Sequence, residues 1–350
     1  MAPIKTALIY SDAWTRFDYG PQHPLRMERL GLTWRLMQAY NLTTLPRATV
    51  RAPEPAPESA IAVYHGTDYL EMLKASNSGQ APAAAARYGL GSRRQPGVPR
   101  SLGRRAVVRG RLDHGGRPRP ERRGGTRLPF RGGLHHAMPS RASGFCYVND
   151  AVLAILRFRE RGLRVLYVDI DAHHGDGVQH AFYGDPDVLT ISTHERGDYL
   201  FPGTGFVEEA GSGAGVGYSV NLPLEPFTDS AVYLPAFEQV VPPLFGAFRP
   251  DVVVAQLGID SHRTDPLTHL AAGHPGVHAR PVAHHGALAQ ARLSRRRRLR
   301  PAQCRARVDV GVGRAERRRA SGRAPRVVRG GHEALRVSDR LALGSAGAAP

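Results

Sequence analysis

The stretch "LRVLYVDIDAHHGDG" (Leu163–Gly177) joins an apolar run to a cluster of acidic residues and histidines. Its first half is a continuous run of β-branched and large apolar side chains, typical of a parallel strand buried on both faces. Its second half places Asp171 and His173 two residues apart, so on a strand their side chains would point the same way. The stretch therefore predicts a buried strand that delivers metal-ligating side chains at its carboxyl end.

The segments around it repeat the alternation of strand and helix. Further strands are predicted at Thr6–Ser11, Asp187–Thr193 and Pro250–Asp260, each ending in polar or acidic residues. Apolar residues at helical spacing predict helices within Pro24–Leu42 and Ser143–Gly162. This pattern indicates an α/β fold with a mostly parallel sheet covered by helices, in which ligands bind beyond the carboxyl ends of the strands.

Two more clusters of polar residues accompany the first. "GIDSHRTDP" (Gly258–Pro266) follows another predicted strand, and "GGLHHAMPSRASGFCYVND" (Gly132–Asp150) contains paired histidines. Asp171, His173 and Asp260 would form a three-ligand site with an open coordination position, as a catalytic zinc requires. Such an ion polarises a carbonyl group and acidifies water. An acidic strand end can also cap a helix or pair with arginine, but three clusters together favour a metal enzyme.

The motifs "HHAMPSRASGFCYVNDA", "YVDIDAHHGDGVQHAFY", "FPGTG" and "QLGIDSHRTDPL" resemble the histone deacetylase superfamily, especially its bacterial branch with the acetoin-utilization proteins. The segments His23–Leu30 and Val63–Leu73 fit the same family. The likeness covers residues 1–91 and 132–270. It implies one deacetylase-like domain over residues 1–350, with the eight-stranded, mostly parallel sheet flanked by helices that arginases share.

The resemblance also implies an activity, zinc-dependent hydrolysis of an acetyl amide, as in acetyl-lysine or an acetylated small amine. The tandem histidines of the family act as general base and as electrostatic or acid partner, oriented by carboxylates. The residues that match the family's functional positions are the zinc ligands Asp171, His173 and Asp260, the tandem histidines His135 and His136, their partners Asp169 and Asp176, the tunnel walls Gly144, Phe145 and Phe201, and the monovalent-cation (potassium) ligands Asp169 and Ser192.

The net charge of +18 is concentrated in two segments. Residues 92–131 carry +11 and residues 271–350 carry +14, in both cases through arginine without lysine, while the rest of the chain totals −7. The first segment has one aromatic residue, Phe130, and the second has no Phe, Tyr or Trp. Grooves that bind nucleic acid interleave aromatic side chains with basic ones, so nucleic acid is not the expected partner.

Two family motifs are missing, an acidic "GDNP"-like loop and a "GGGGY" run whose tyrosine stabilises the oxyanion. A one-base shift of suitable codons converts "RRQPGVPR" (Arg93–Arg100) to Gly-Asp-Asn-Pro-Val-Phe-Pro and "RRRRLR" (Arg295–Arg300) to Gly-Gly-Gly-Gly-Tyr. We therefore expect residues 92–131 and 271–350 to be read out of frame and to be disordered or misfolded. The missing tyrosine is expected to impair activity.

Two alternative functions remain open at this point. One is an inactive deacetylase-like scaffold with a basic tail that binds nucleic acid. The other is an arginase-type hydrolase with two manganese ions, against which the tandem histidines and "GFCYVND" argue. No apolar run is long enough to cross a membrane, and the two cysteines, Cys146 and Cys304, cannot form a disulfide framework, so a cytoplasmic location is expected.

Overall fold

The computed structural model describes residues 5–16, 19, 23–78, 83–91, 125–129 and 132–273. Every described residue belongs to one compact unit, which lies within Met1–Val308. Most of both arginine-rich segments lies outside the described residues, so the frameshift and the extent of the domain stay predictions. The described end of the first segment, Gly125–Pro129, is a strand.

The described strands form two parallel sheets. The strands are β1 (Lys5–Ile9), β2 (Ala48–Arg51), β3 (Gly125–Pro129), β4 (Val165–Asp169), β5 (Val188–Glu195), β6 (Ser219–Leu224) and β7 (Val252–Gln256). One sheet has the order β2-β1-β3, and the other has the order β6-β5-β4-β7. Because the second sheet is parallel, the carboxyl ends of its strands meet at one edge.

Helices connect these strands. They are α1 (Glu28–Ala39), α2 (Glu58–Ile61), α3 (Thr67–Asn77), α4 (Asp150–Arg159), α5 (Asp176–Phe182) and α6 (Ser230–Phe248). Short 3₁₀ turns occur at Asp12–Arg16, Leu42–Thr44, Ala83–Tyr88 and Gly213–Gly215. None of the helices in the described part of the chain has the length and apolar character that crossing a bilayer requires.

Strand β4 is buried on both faces by these helices. Leu166 and Val168 pack in one apolar cluster with residues of α6, such as Phe237. The alternate side chains Val165 and Tyr167 pack in a second cluster with residues of α4 and α5. Each fully buried large apolar side chain contributes roughly 1.5–3 kcal/mol, so this double burial fixes β4 and the polar turn that follows it.

The predicted α/β class is confirmed, and three details differ from the sequence-based expectation. The described residues contain seven strands, so the family count of eight is not confirmed. Strand β4 ends at Asp169, because the Asp169 side chain accepts the backbone N–H of Asp171. Asp171 and His173 therefore lie in a turn and not on the strand. Helix α4 begins at Asp150, because Asn149 caps it, and not at the start of the segment from Ser143.

Candidate active site

Three side chains with metal-ligating atoms meet beyond the carboxyl ends of β4 and β7. Asp171 and His173 follow β4, and Asp260 follows its parallel neighbour β7. Ligand atoms of the three residues all lie within 4.8 Å of one another. His173 Nδ1 is 2.8 Å from Asp260 Oδ2 and 3.1 Å from Asp171 Oδ1. Two carboxylates and one imidazole that converge in this way form a donor set that suits a divalent cation.

Backbone and side-chain contacts hold the two carboxylates in place. The backbone N–H of Ala172 donates to Asp260 Oδ1 at 2.7 Å. Gln256, the last residue of β7, donates from Nε2 to Asp171 Oδ2 at 3.2 Å. A Cβ atom at Gly258 would lie 2.3 Å from Asp171 Oδ2, so glycine is needed for the close approach of the two segments.

The three side chains of this cluster shift one another's pKa values. Burial by itself would lower the pKa of His173, but hydrogen bonds to Asp171 and Asp260 raise it to about 10. Burial and the Asp171 charge raise the pKa of Asp260 to about 6. Burial also opposes ionisation of Asp171, but the charges of His135 and His173 hold its pKa below the usual value. Two buried carboxylates need a cation between them, which fits a metal ion at this position.

The tandem histidines form two separate His–Asp pairs beside the predicted metal ligands. His135 Nδ1 is 2.7 Å from Asp169 Oδ2, and His136 Nδ1 is 2.6 Å from Asp176 Oδ1. Burial lowers the pKa of His135, but Asp169 and other carboxylates outweigh it and raise the value to about 9. Burial and the charges of His135 and His173 lower the pKa of His136 well below its usual value. The pKa values of the two neighbouring imidazoles are therefore shifted in opposite directions, which favours a charged His135 and a neutral His136.

Asp169 is fully buried and connects several parts of the site. It accepts hydrogen bonds from Tyr167 Oη at 2.6 Å and from the backbone N–H of Asp171 at 3.0 Å. Ser192 is its register partner on β5, and Ser192 Oγ lies 2.9 Å from His194 Nδ1. The two residues assigned to a monovalent cation are thus neighbours across two strands.

The predicted tunnel residues lie against the histidines. The Phe201 ring meets the His136 ring edge-on, with centroids 5.0 Å apart, and is 41% exposed. Gly144 lies between them, since an added Cβ would be 2.3 Å from His136 Cδ2 and 2.9 Å from Phe201 Cε1. Phe145 is half-buried and packs edge-on against His23 at 4.7 Å. Gly144 and Phe201 therefore line the approach to His136.

Substitution of Gly144 by alanine should displace His136. Its φ of +49° disfavours alanine, and the new Cβ would overlap the His136 ring, which breaks the bond to Asp176. A displacement of about 1 Å costs about 10²-fold in turnover. Gly213→Ala is the matched control, because Gly213 has a φ of +52° and nothing within 4 Å of the new Cβ. Equal turnover of the two variants on an acetyl-lysine peptide would contradict this prediction.

Comparison with known proteins identifies the family. A model of the histone deacetylase domain matches residues 23–290. The chain belongs to the histone deacetylase family. Among curated relatives of this deacetylase, acetoin utilization protein AcuC of Bacillus subtilis (strain 168) is 38% identical over 281 residues, 76% of this chain and 69% of that protein. AcuC of Staphylococcus aureus (strain COL) is 40% identical over 281 residues, 76% of this chain and 68% of that protein.

Solved structures agree with this assignment. A histone deacetylase homologue from Aquifex aeolicus has a TM-score of 0.67 and 31% identity, over 76% of this chain and 72% of that chain. A histone deacetylase homologue complexed with SAHA has a TM-score of 0.67 and 29% identity, over 83% of this chain and 84% of that chain. The predicted family, fold class and deacetylase activity class are confirmed. The residue roles carried over from the family stay predictions, although the structure brings the metal ligands and both His–Asp pairs together.

Two residues at the start of α4 hold the loop that carries His135 and His136, here called the histidine loop. The sequence pattern alone did not predict a role for either of them. Asn149 donates from Nδ2 to the carbonyl oxygens on either side of His136, at 3.1 Å each. Asp150 accepts from the backbone N–H groups of Gly133 at 3.1 Å and Leu134 at 2.8 Å. Both stand in the quoted "VND" motif, but only the fold shows which backbone groups they meet.

His65 supports the same loop from a distant part of the chain. Its Nε2 accepts from the backbone N–H of Asn149 at 3.1 Å, and its Nδ1 lies 3.2 Å from the carbonyl oxygen of Pro139. The residue is 1% exposed, and burial lowers its pKa from 6.5 to about 4. A neutral imidazole with one donor and one acceptor satisfies both backbone groups.

Replacement of His65 by glutamine should weaken the pH dependence of stability. Between pH 6.5 and about 4 the unfolded wild-type chain binds a proton that the folded chain excludes, so stability from this residue is lost as the pH falls. The loss is at most about 3 kcal/mol. Glutamine can make both hydrogen bonds without titrating. Denaturant unfolding at pH 7 and pH 4.5 measures the effect, and identical pH dependence in both proteins would argue against it.

Proposed function

We propose that the chain hydrolyses acetyl amides with a zinc ion held by Asp171, His173 and Asp260. The observation that carries the proposal is the convergence of their ligand atoms within 4.8 Å, beside two buried His–Asp pairs. When bound, a zinc ion supplies a Lewis acid for the amide carbonyl and lowers the pKa of water. The side chains around the ion transfer the protons and stabilise the developing charge.

The two tandem histidines have different tasks in this proposal. His136 is neutral, and its Nδ1–H donates to Asp176, so Nε2 is available to accept a proton from the attacking water. His135 is cationic and is held by Asp169, so it stabilises developing negative charge and helps to protonate the departing amine. The edge-on Phe201 ring beside His136 suits the narrow, extended alkyl chain of an acetylated amine.

The proposal extends to substrate, second cation and location. Acetyl-lysine and an acetylated small amine are the two substrate classes, and the name of the AcuC relatives supports a role in acetoin utilization. Potassium is proposed at Asp169 and Ser192, where two oxygen-bearing side chains are register partners. A cytoplasmic location is proposed, and the buried free thiol of Cys146 is consistent with a reducing compartment.

Metal analysis of the purified full-length chain, combined with an acetyl-lysine peptide assay, tests the proposal. One zinc per chain is expected, together with slow acetate release that stops after chelation and returns with zinc. Two metal ions per chain would favour the arginase-type alternative instead. A chain that releases acetate equally well after complete chelation would overturn the zinc mechanism.

A further inference from the structure

Glu195, the last residue of β5, carries a buried carboxylate with no role in the site described above. Its side chain is 0% exposed. Burial of a carboxylate is costly unless hydrogen bonds or an opposite charge compensate it. The contacts of Glu195 therefore indicate what its burial achieves.

Glu195 makes hydrogen bonds to both segments that carry metal ligands. Its backbone N–H donates to the carbonyl oxygen of Ala172, the residue between Asp171 and His173, at 2.9 Å. Its carboxylate accepts from the backbone N–H of His269 at 2.8 Å and lies 2.7 Å from the Nδ1 of the same residue. The two carboxylate oxygens thus both bind His269, which lies in the loop after β7.

These contacts close a ring of hydrogen bonds around the ligands. Thr268, next to His269, donates from Oγ1 to the carbonyl oxygen of Asp260 at 2.6 Å. Asp260 Oδ1 in turn accepts from the backbone N–H of Ala172 at 2.7 Å. The ring runs from Ala172 through Glu195, the Thr268–His269 pair and Asp260 back to Ala172. Removal of one member leaves the spacing between the two ligand segments less constrained.

We propose that Glu195 is a positioning residue that sets the distance between Asp260 and the ligand pair Asp171 and His173, and so tunes metal affinity. The inference rests on the metal site proposed above. Groups that orient metal ligands without touching the metal typically change affinity by about 10–100-fold when they are removed. Glu195 contacts no ligand side chain, so its effect must pass through the backbone.

The choice of variants follows from the geometry of the carboxylate. Glu195→Ala removes both bonds to His269. Glu195→Gln keeps the shape, because its amide oxygen accepts one N–H and its amide nitrogen can donate to Nδ1 of neutral His269. His269→Ala keeps the backbone bond and removes only the ring contact, and the His269 side chain is 52% exposed, so this variant leaves the core intact.

Cobalt titration of the metal-free, full-length chain tests the inference, with visible absorption as the readout. Glu195→Ala is expected to bind Co²⁺ about 10–100-fold more weakly than the wild type. His269→Ala should show a smaller loss, and Glu195→Gln should remain close to the wild type. Thermal unfolding of each metal-free variant measures its stability in the same buffer, which separates lost positioning from lost folding.

Asp185→Ala is the matched control at the opposite end of β5. Asp185 also accepts one backbone N–H, from Asp187 at 2.9 Å, and side-chain N–H groups of one residue, Arg159, at 3.1 and 3.5 Å. It touches neither ligand segment, so unchanged cobalt affinity is expected, whatever stability is lost with its hydrogen bonds. Equal loss of affinity in Asp185→Ala and Glu195→Ala would assign the effect to general destabilisation and overturn the inference.

The remaining outcomes separate this inference from the proposed function. A wild-type chain that binds no Co²⁺ would overturn the metal site itself. A wild-type chain that binds Co²⁺ and a Glu195→Ala chain that binds it equally well would overturn only the role of Glu195. If Glu195→Ala fails to fold, the cobalt affinity of His269→Ala becomes the test. An affinity equal to that of the wild type in that variant would also overturn the inference.

Discussion

Restoration of the reading frame after residue 270 should raise the turnover of an acetyl-lysine peptide by about 10²–10³-fold over that of the chain as written. With the codons that the frameshift hypothesis requires, the neighbouring frame converts Arg295–Arg300 to four glycines and a tyrosine, and the tyrosine falls at position 299, 39 residues after Asp260. Its hydroxyl would donate to the oxygen of the polarised carbonyl. A preorganised donor of this kind acts mainly in the transition state, so kcat should rise more than KM falls.

The exposed surface of β7 gives a second reason to expect a gain. Strand β4 is fully buried, whereas no residue of β7 is, and β7 pairs with β4 alone among the described strands. Beyond its end, Leu257 is 45% and Ile259 71% exposed. A further parallel strand from the restored frame would cover this edge. We therefore expect the restored chain to unfold at a higher temperature and to aggregate less.

Two comparisons make the prediction decisive. Sequencing of the coding DNA across codons 85–135 and 265–350 shows whether single-base shifts exist. In the restored chain, replacement of the new tyrosine by phenylalanine should return turnover to that of the chain as written, while thermal stability stays high. A chain as written that already turns over as fast as the restored chain would refute the prediction that the missing tyrosine impairs activity.

Local sequence pattern predicted the strands at the centre of the fold and the residues of the metal cluster. The run Val165–Asp169 is long enough, and apolar enough, to be read as a buried parallel strand. The exact end of the strand could not be predicted from the sequence, because it depends on a side-chain hydrogen bond. The Asp169 carboxylate accepts the backbone N–H of Asp171, which is then not available to a neighbouring strand. The structure brings the three predicted metal ligands together, but the place of Asp171 and His173 in a turn was not predicted.

The supporting residues could not be predicted, because their roles depend on which segments become neighbours. The Gln256 side chain contacts Asp171 only because β7 lies beside β4 in the sheet. His65 meets Asn149, 84 residues later, through the packing of its segment against the histidine loop. A single sequence shows such residues as ordinary polar positions. Their contribution becomes visible once backbone hydrogen bonds have been assigned in three dimensions.

Replacement of His173 by alanine should abolish stoichiometric zinc binding and reduce acetyl-lysine hydrolysis to the background rate. The substitution removes one of three ligands and leaves the carboxylates of Asp171 and Asp260 facing each other without the imidazole between them. The loss of affinity should exceed the roughly 10–100-fold effect of removing a group that merely orients ligands. Zinc content after dialysis and competition with a chromogenic chelator measure it.

His262→Ala is the matched control for this prediction. His262 lies two residues after Asp260, and its Nδ1 is 2.8 Å from Thr264 Oγ1, outside the ligand cluster. We expect its zinc content and turnover to match the wild type. In metal-free protein, His173→Ala should also cost stability at pH 7, because the raised pKa of His173 stabilises the fold fully below about pH 6.5, and this contribution is lost as the pH rises from there to about 10. Zinc retained by His173→Ala at wild-type affinity would place the metal elsewhere, since the other two ligands alone cannot account for such binding.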